Sequence, residues 1–175
     1  NNPLSHYKTT GPEIWEQTEG KWTHFVVGAG TGGTITGCGT FFKEKSKDIK
    51  VIGVDTYGSI LKEIHETGEI HLENAYTYIT EGIGEDILPE NYDMSVIDHF
   101  EKVTDKDGAI YARNLAKEEG IFCGYSAGSA IAAIKQMQDQ FTKDDIIVVL
   151  LHDHGSRYVG KIYNDDWMKE MGWLD

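Results

Sequence analysis

The chain has 175 residues, of which 39% are apolar and 26% charged, and carries a formal net charge of −13 at pH 7. That length and balance fit one domain with a proper core, or part of a larger one. With Arg113 and Arg157 as the only arginines, no basic stripe is available for nucleic-acid phosphates or an anionic membrane, and no apolar run approaches the ~20 residues that span a bilayer.

The opening NNPLSHYKTT reads as an ordered loop without signal-peptide character. It lacks an initiator Met, so the chain is expected to be a fragment of something longer. Pro12 and the following EIWEQ predict a short helix stopped by Gly20. THFVV (23–27) predicts a strand, VVGAGTGGTITG a glycine loop, and residues 34–45 a helix with Ile35, Cys38, Phe41 and Phe42 on one face. KVIGVD (50–55) is a second buried strand. This strand–loop–helix–strand unit implies a right-handed crossover and a parallel sheet.

The stretch YGSILKEIHETGEIHLENAYTYITEG has weak periodicity and reads as irregular, with a strand near Tyr76–Thr80. MSVIDHFEKV (94–103) predicts a strand. Asp105 to Glu119 predicts an amphipathic helix, with Ile110, Ala112, Leu115 and Ala116 inward and Gly120 as C-cap. GYSAGSA (124–130) opens a helix from about Ala127 to Gln138, and DIIVVLL (145–151) reads as a fully buried strand of the parallel-sheet kind. Asp144 and Asp145 read as a solvated cap to that strand, and Trp167 and Trp173 as anchors of a terminal helix.

Glycine numbers 20, against roughly 12 at average usage; much of it sits in short runs that suit turns beside a ligand. Cys38 and Cys123 form no C-x-x-C, so neither a zinc site nor a disulfide framework is suggested, and a reducing cytoplasm is the expected compartment. His152 and His154 would share one face of a strand, but no third metal ligand stands at motif spacing.

Two motifs carry chemistry. Gly28, Gly30 and Gly33 satisfy the dinucleotide pattern G-x-G-x-x-G, with Asp55 placed where a ribose-binding acid would sit. Thr31, Thr34 and Thr36 interleave hydroxyls with those glycines, which suits a terminal phosphate monoester at a helix start better. GYSAG contains the G-x-S-x-G of a hydrolase nucleophile elbow. Against that reading, the run before Ser126 is short, and Asp153 and His154 point to opposite faces of an extended segment.

GTGGTITG followed by CGYSAGSA, each opening a helix, resembles the pyridoxal-phosphate enzymes of the cysteine synthase and cystathionine β-synthase family. The resemblance runs along the whole chain, through NPLSHYKTTGPEIW, VIGVDTYGS, EGIGEDILP and GSRYVGKIYNDDWM, and the Asp-Asp-Trp-Met tail favours the cystathionine β-synthase branch. It implies a three-layer α/β fold, a mostly parallel twisted sheet flanked by helices (fold type II). Residues 1–175 would form a single domain, the C-terminal portion of a catalytic core that is a homodimer when intact. By the same resemblance Gly30, Thr31, Gly32, Gly33 and Thr34 cradle the phosphate of pyridoxal 5′-phosphate, and Ser126 hydrogen-bonds its pyridine nitrogen. Gly82, Ile83 and Gly84 bring backbone close to the bound amino-acid substrate, and Tyr7 lines the entrance.

The implied reaction is β-replacement on serine or an activated serine, giving cystathionine from homocysteine or cysteine from sulfide. Glu85 stands where a tyrosine is common and His152 where a proline is usual, departures that bear on substrate choice more than on cofactor binding. The family's Schiff-base lysine lies in a Ser-x-Lys-x-Arg-like segment, and its substrate carboxylate is held by a Thr-Ser-Gly-Asn loop; neither pattern occurs in these residues. Both are expected upstream of Asn1, leaving this chain inactive by itself. An NAD-binding Rossmann domain is the alternative.

Overall fold

A computed structural model describes residues 1–175. Four strands, β1 (His24–Gly28), β2 (Lys50–Thr56), β3 (His99–Val103) and β4 (Ile147–Val149), form one sheet in the order β3-β2-β1-β4. All three pairings are parallel, with Phe25 opposite Val51 and Val148, and Val54 opposite Glu101.

Strand alternation sends successive side chains to opposite faces, and each face meets its own layer of helices. Phe25, Val27 and Val51 pack with Ile35, Cys38 and Phe42 of α3 (Gly33–Lys45), with Trp22 closing the cluster edge-on to Phe42. Val26, Ile52 and Val54 face Ala130, Ala132 and Ala133 of α6 (Tyr125–Gln136). Behind α6 lies α5 (Asp105–Glu119), which begins at a Thr104 cap accepting from the Asp107 N–H and ends at Gly120 with φ 71°. The three-layer α/β sheet inferred from sequence is therefore the fold.

The remaining elements are short. Two helices open the chain, α1 (Asn2–Lys8) and α2 (Thr10–Gln17), so the opening is helical and not the loop expected. Helix α1 buries none of its own residues and lies across the glycines of α3, which is why no apolar stripe marks it. Residues Leu61–Thr67 form α4, and Asp165–Glu170 form α7 near the C-terminus, where Trp167 and Trp173 pack edge-on as anchors.

Three further expectations need correction. No strand forms at Tyr76–Thr80; the segment is irregular and fastened through side chains. The residues from Met94 begin as one 3-10 turn, and β3 starts only at His99. Strand β4 is three residues long and half-buried because it stands at the end of the sheet, where one edge has no neighbouring strand. No helix is long and apolar enough to cross a membrane.

The Asp105 side chain does much of the fastening. Its two carboxylate oxygens accept the Ile79 and Thr80 N–H groups at 2.8 and 2.9 Å, together with the Thr80 hydroxyl. Asp105→Ala is expected to leave those donors unpaired and cost about 2–3 kcal/mol, since hydrogen bonds to a charged acceptor are the stronger kind. Urea melts would read the loss, and faster hydrogen exchange at Ile79 and Thr80 would place it.

Candidate functional site

The site grows from the turn between β1 and α3. Gly32 caps α3 with φ 83°, a left-handed conformation that costs glycine little. With the chain turned this way, the first N–H groups of α3 point outward without intrahelical partners, and the helix dipole places partial positive charge there. Gly28, Gly30, Thr31, Gly32, Gly33 and Thr34 wall a cavity of about 140 Å³. Wider clefts on the outer face of α5 and beside α4 have no comparable nest of backbone donors.

Side chains are excluded from this turn by close neighbours. A Cβ at Gly32 would sit 2.6 Å from the Tyr92 ring, one at Gly30 would sit 2.9 Å from the Gly82 carbonyl oxygen, and one at Gly33 would run into Asn2. Tyr92 also clamps the turn by donating its hydroxyl to the Gly30 carbonyl at 2.6 Å. Thr34 Oγ1 lies 3.4 Å from His6 Nε2, whose other ring nitrogen is 2.8 Å from Thr10 Oγ1. A shallow nest of glycine backbone and threonine hydroxyls at the start of a thirteen-residue helix fits a terminal phosphate.

The second loop docks onto the first. The Gly84 N–H donates to the Ala29 carbonyl at 2.8 Å, and buried Ile83 fills the space over Gly28. Gly82 and Gly84 have φ 91° and 81°, so the turn carrying them depends on glycine. Gly82 lines the cavity and also faces Ser126, whose Oγ would be 3.7 Å from a Cβ on Gly82. Ser126 is 4% exposed at the start of α6; beside it Tyr125 donates to the Asp105 carbonyl at 2.7 Å. Gly82 thus stands between Gly30 and Ser126.

Tyr7 is not brought to this wall. Its hydroxyl donates to Glu44 at 2.8 Å and its ring packs edge-on to Phe41, beside a separate hollow between α1 and α3. Sequence reasoning placed His152 with substrate choice; the structure sets its ring at the cavity, next to Gly28. The residue has exposed surface, but protein crowding around the ring lowers its pKa below the ordinary imidazole value. The Gly28 carbonyl and Asp153 oppose that shift, and His6 adds to it. In the sequence His152 stood out through its pairing with His154 on one strand face and through its departure from the family resemblance; the structure separates the two, with His154 packed on Phe122.

The competing readings lose their key residues. Asp55 is fully buried and accepts the Thr56 and Lys62 N–H groups at 2.9 and 3.1 Å, which leaves its carboxylate holding the turn after β2 and unable to take a ribose. Desolvation raises its pKa. His154 Nδ1 accepts from the Ser156 N–H and its ring packs on Phe122, while Asp153 accepts from the Tyr158 hydroxyl, so no acid–base pair is directed at Ser126.

Residues 1–153 match the model of the pyridoxal-phosphate dependent enzyme family. The chain is 42% identical over 174 residues to cystathionine beta-synthase of Oryctolagus cuniculus, covering 99% of this chain and 31% of that protein. It is 41% identical over 174 residues to cystathionine beta-synthase of Dictyostelium discoideum, covering 99% and 34%. Against cystathionine beta-synthase of Saccharomyces cerevisiae it is 38% identical over 177 residues, covering 97% and 34%. The chain spans about a third of the length of these curated relatives.

Proposed function

This chain belongs to the pyridoxal-phosphate dependent enzymes, and on that premise we propose that it carries the cofactor-holding part of a cystathionine β-synthase-like β-replacement enzyme. The amino-acid substrate is serine or an activated serine. Homocysteine as the incoming nucleophile gives cystathionine; sulfide gives cysteine. The observation that supports this reading is that Gly30–Thr34 and Gly82 line one cavity while Gly82 also faces Ser126, so that two glycine motifs distant in sequence meet at a third loop.

When bound, pyridoxal 5′-phosphate supplies an electron sink for cleavage at the α and β carbons of an amino acid. The backbone N–H groups of Gly30, Gly32 and Gly33, with the hydroxyls of Thr31 and Thr34, hold and orient the phosphate. Ser126 holds the pyridine nitrogen through its hydroxyl. Unlike a carboxylate, that hydroxyl does not keep the nitrogen protonated, and the weaker sink suits β-replacement. Gly82, Ile83 and Gly84 keep a close, side-chain-poor backbone beside the bound amino acid. None of these 175 residues is assigned the covalent role, and the chain by itself is expected not to turn over. A homodimer of the intact protein belongs to the same proposal; light scattering would test it.

The test is made at Ser126 in the full-length protein. Ser126→Ala is expected to retain the cofactor's visible absorbance, because the phosphate cradle is untouched. Turnover is expected to fall about 10- to 100-fold, the equivalent of leaving one buried polar atom without its partner. Ser126→Asp is expected to change the absorbance spectrum where Ala does not, since a carboxylate favours the protonated nitrogen. Stoichiometric labelling of Ser126 by a fluorophosphonate, with unchanged spectra in both variants, would overturn the assignment.

A further inference from the structure

The cavity at the start of α3 is lined by glycine backbone, Thr31, Thr34, Ile35 and the His152 imidazole; it contains no lysine or arginine. A phosphate monoester carries about −1.5 to −2 charge near pH 7. The start of a helix offers roughly half a positive charge in return. A bound phosphate would therefore lie in a partly enclosed space with about one to one and a half negative charges uncompensated. Two groups near the cavity can change their own charge. His152 is in the wall, whereas His6 of α1 stands behind Thr34 at 3.4 Å.

We propose that His152 is part of the anion site and takes up a proton from solvent when a phosphate monoester occupies the cavity. This rests on reading the cavity as the cofactor's phosphate cradle. No bond of the ligand breaks; the imidazole gains one proton and its charge opposes that of the phosphate. The groups acting on His152 are the Asp153 carboxylate beside it in the chain, the Gly28 carbonyl of β1 and His6 of α1. Without an anion, desolvation favours the neutral ring, with Asp153 and Gly28 pulling the other way. A phosphate in the cavity adds a favourable charge interaction and raises the imidazole pKa. By linkage, the His152 contribution to anion affinity rises as pH falls from the pKa of the occupied site to that of the free site, and levels off below it.

The experiment uses the full-length protein loaded with pyridoxal phosphate and follows the ³¹P resonance of the bound cofactor between about pH 6 and 9, the range in which shifted imidazoles titrate. The expected result is a ³¹P shift with one inflection that disappears in His152→Asn, and a cofactor dissociation constant about tenfold higher in that variant, the change equivalent to one pKa unit. His152→Gln serves as a second non-titrating variant should Asn disturb folding. His6→Asn is expected to displace the inflection without removing it. Normal cofactor absorbance with a pH-independent ³¹P shift, or an inflection unchanged in both His152 variants, would overturn the role of His152 and leave the cradle standing. Loss of the inflection in His6→Asn alone would assign the proton to His6 instead. Failure of the unmodified protein to retain the cofactor at all would overturn the cradle, and this inference with it.

Discussion

Gly32→Val is expected to strip pyridoxal phosphate from the full-length protein and to destabilise it by about 3 kcal/mol, from left-handed strain of a non-glycine residue and from overpacking. Gly32 caps α3 at φ 83°, where a β-branched side chain is at its least favourable, and its Cβ would lie 2.6 Å from the Tyr92 ring. Relief by moving Tyr92 would break that residue's hydrogen bond to the Gly30 carbonyl, so strain passes directly into the cradle. Thermal melts and the visible absorbance of the cofactor read the two effects separately. Gly32→Asn, which tolerates left-handed backbone better, is expected to lose less stability. Adding Tyr92→Ala to Gly32→Val should recover the collision and not the backbone strain. A Gly32→Val protein with unchanged melting temperature and full cofactor content would show that the anion is held elsewhere.

Gly128→Val is expected to cost about 3 kcal/mol or more, at the upper end of overpacking because the obstacle is backbone. Here α5 and α6 cross almost in backbone contact: a Cβ at Gly128 would collide with the Gly108 carbonyl and lie 2.6 Å from the Ala112 Cβ. On the other side of the crossing, a Cβ at Gly108 would strike the Ser129 hydroxyl. Forcing the helices apart would also displace Ser126, two residues earlier on α6, so cofactor spectra should change together with stability. Under the nucleophile-elbow reading the second glycine of G-x-S-x-G serves the chemistry. Denaturant melts distinguish the cases, because a Gly128→Val protein of unchanged stability with only its activity lost would contradict the packing role.

The parallel β1–α3–β2 unit was legible from short range alone, since apolar runs, a glycine loop and a 3.6-residue stripe coincide within a few dozen residues. The bounds of helix α5 were equally clear, Asp105 to Glu119 with Gly120 as cap, but its inward face was not. The buried residues are Gly108, Ala109 and Ala112; of the expected stripe, Ile110, Leu115 and Ala116 are only half-buried because α6 packs on the small residues instead. The cradle proposed for the phosphate could be suggested from sequence because its hydroxyls and glycines are contiguous, and because a backbone nest is a local device. The cofactor role proposed for Ser126 came only from the family resemblance, since G-x-S-x-G by itself fits both a nucleophile and a ligand contact.

Other features depended on partners distant in the chain. Helix α1 buries nothing of its own and gains its place from the missing side chains of Gly33 and Gly37 on α3, a relation no periodicity in residues 2–8 can encode. The segment at Tyr76–Thr80 has strand-like composition, yet its Ile79 and Thr80 N–H groups go to the Asp105 carboxylate and its Tyr76 N–H to the Gly58 carbonyl, so no sheet ladder forms along it. Asp55 has the spacing of a ribose acid and was turned inward by the N–H groups of Thr56 and Lys62. His152 reached the cavity because β4 lies beside β1 in the sheet, and strand order is set by long-range pairing. Local composition determined the strands, the glycine turns and the donors available to an anion; which side chains share a wall was decided by helices and strands that meet only when the sheet closes, because the contacts that select those neighbours act between residues far apart in sequence.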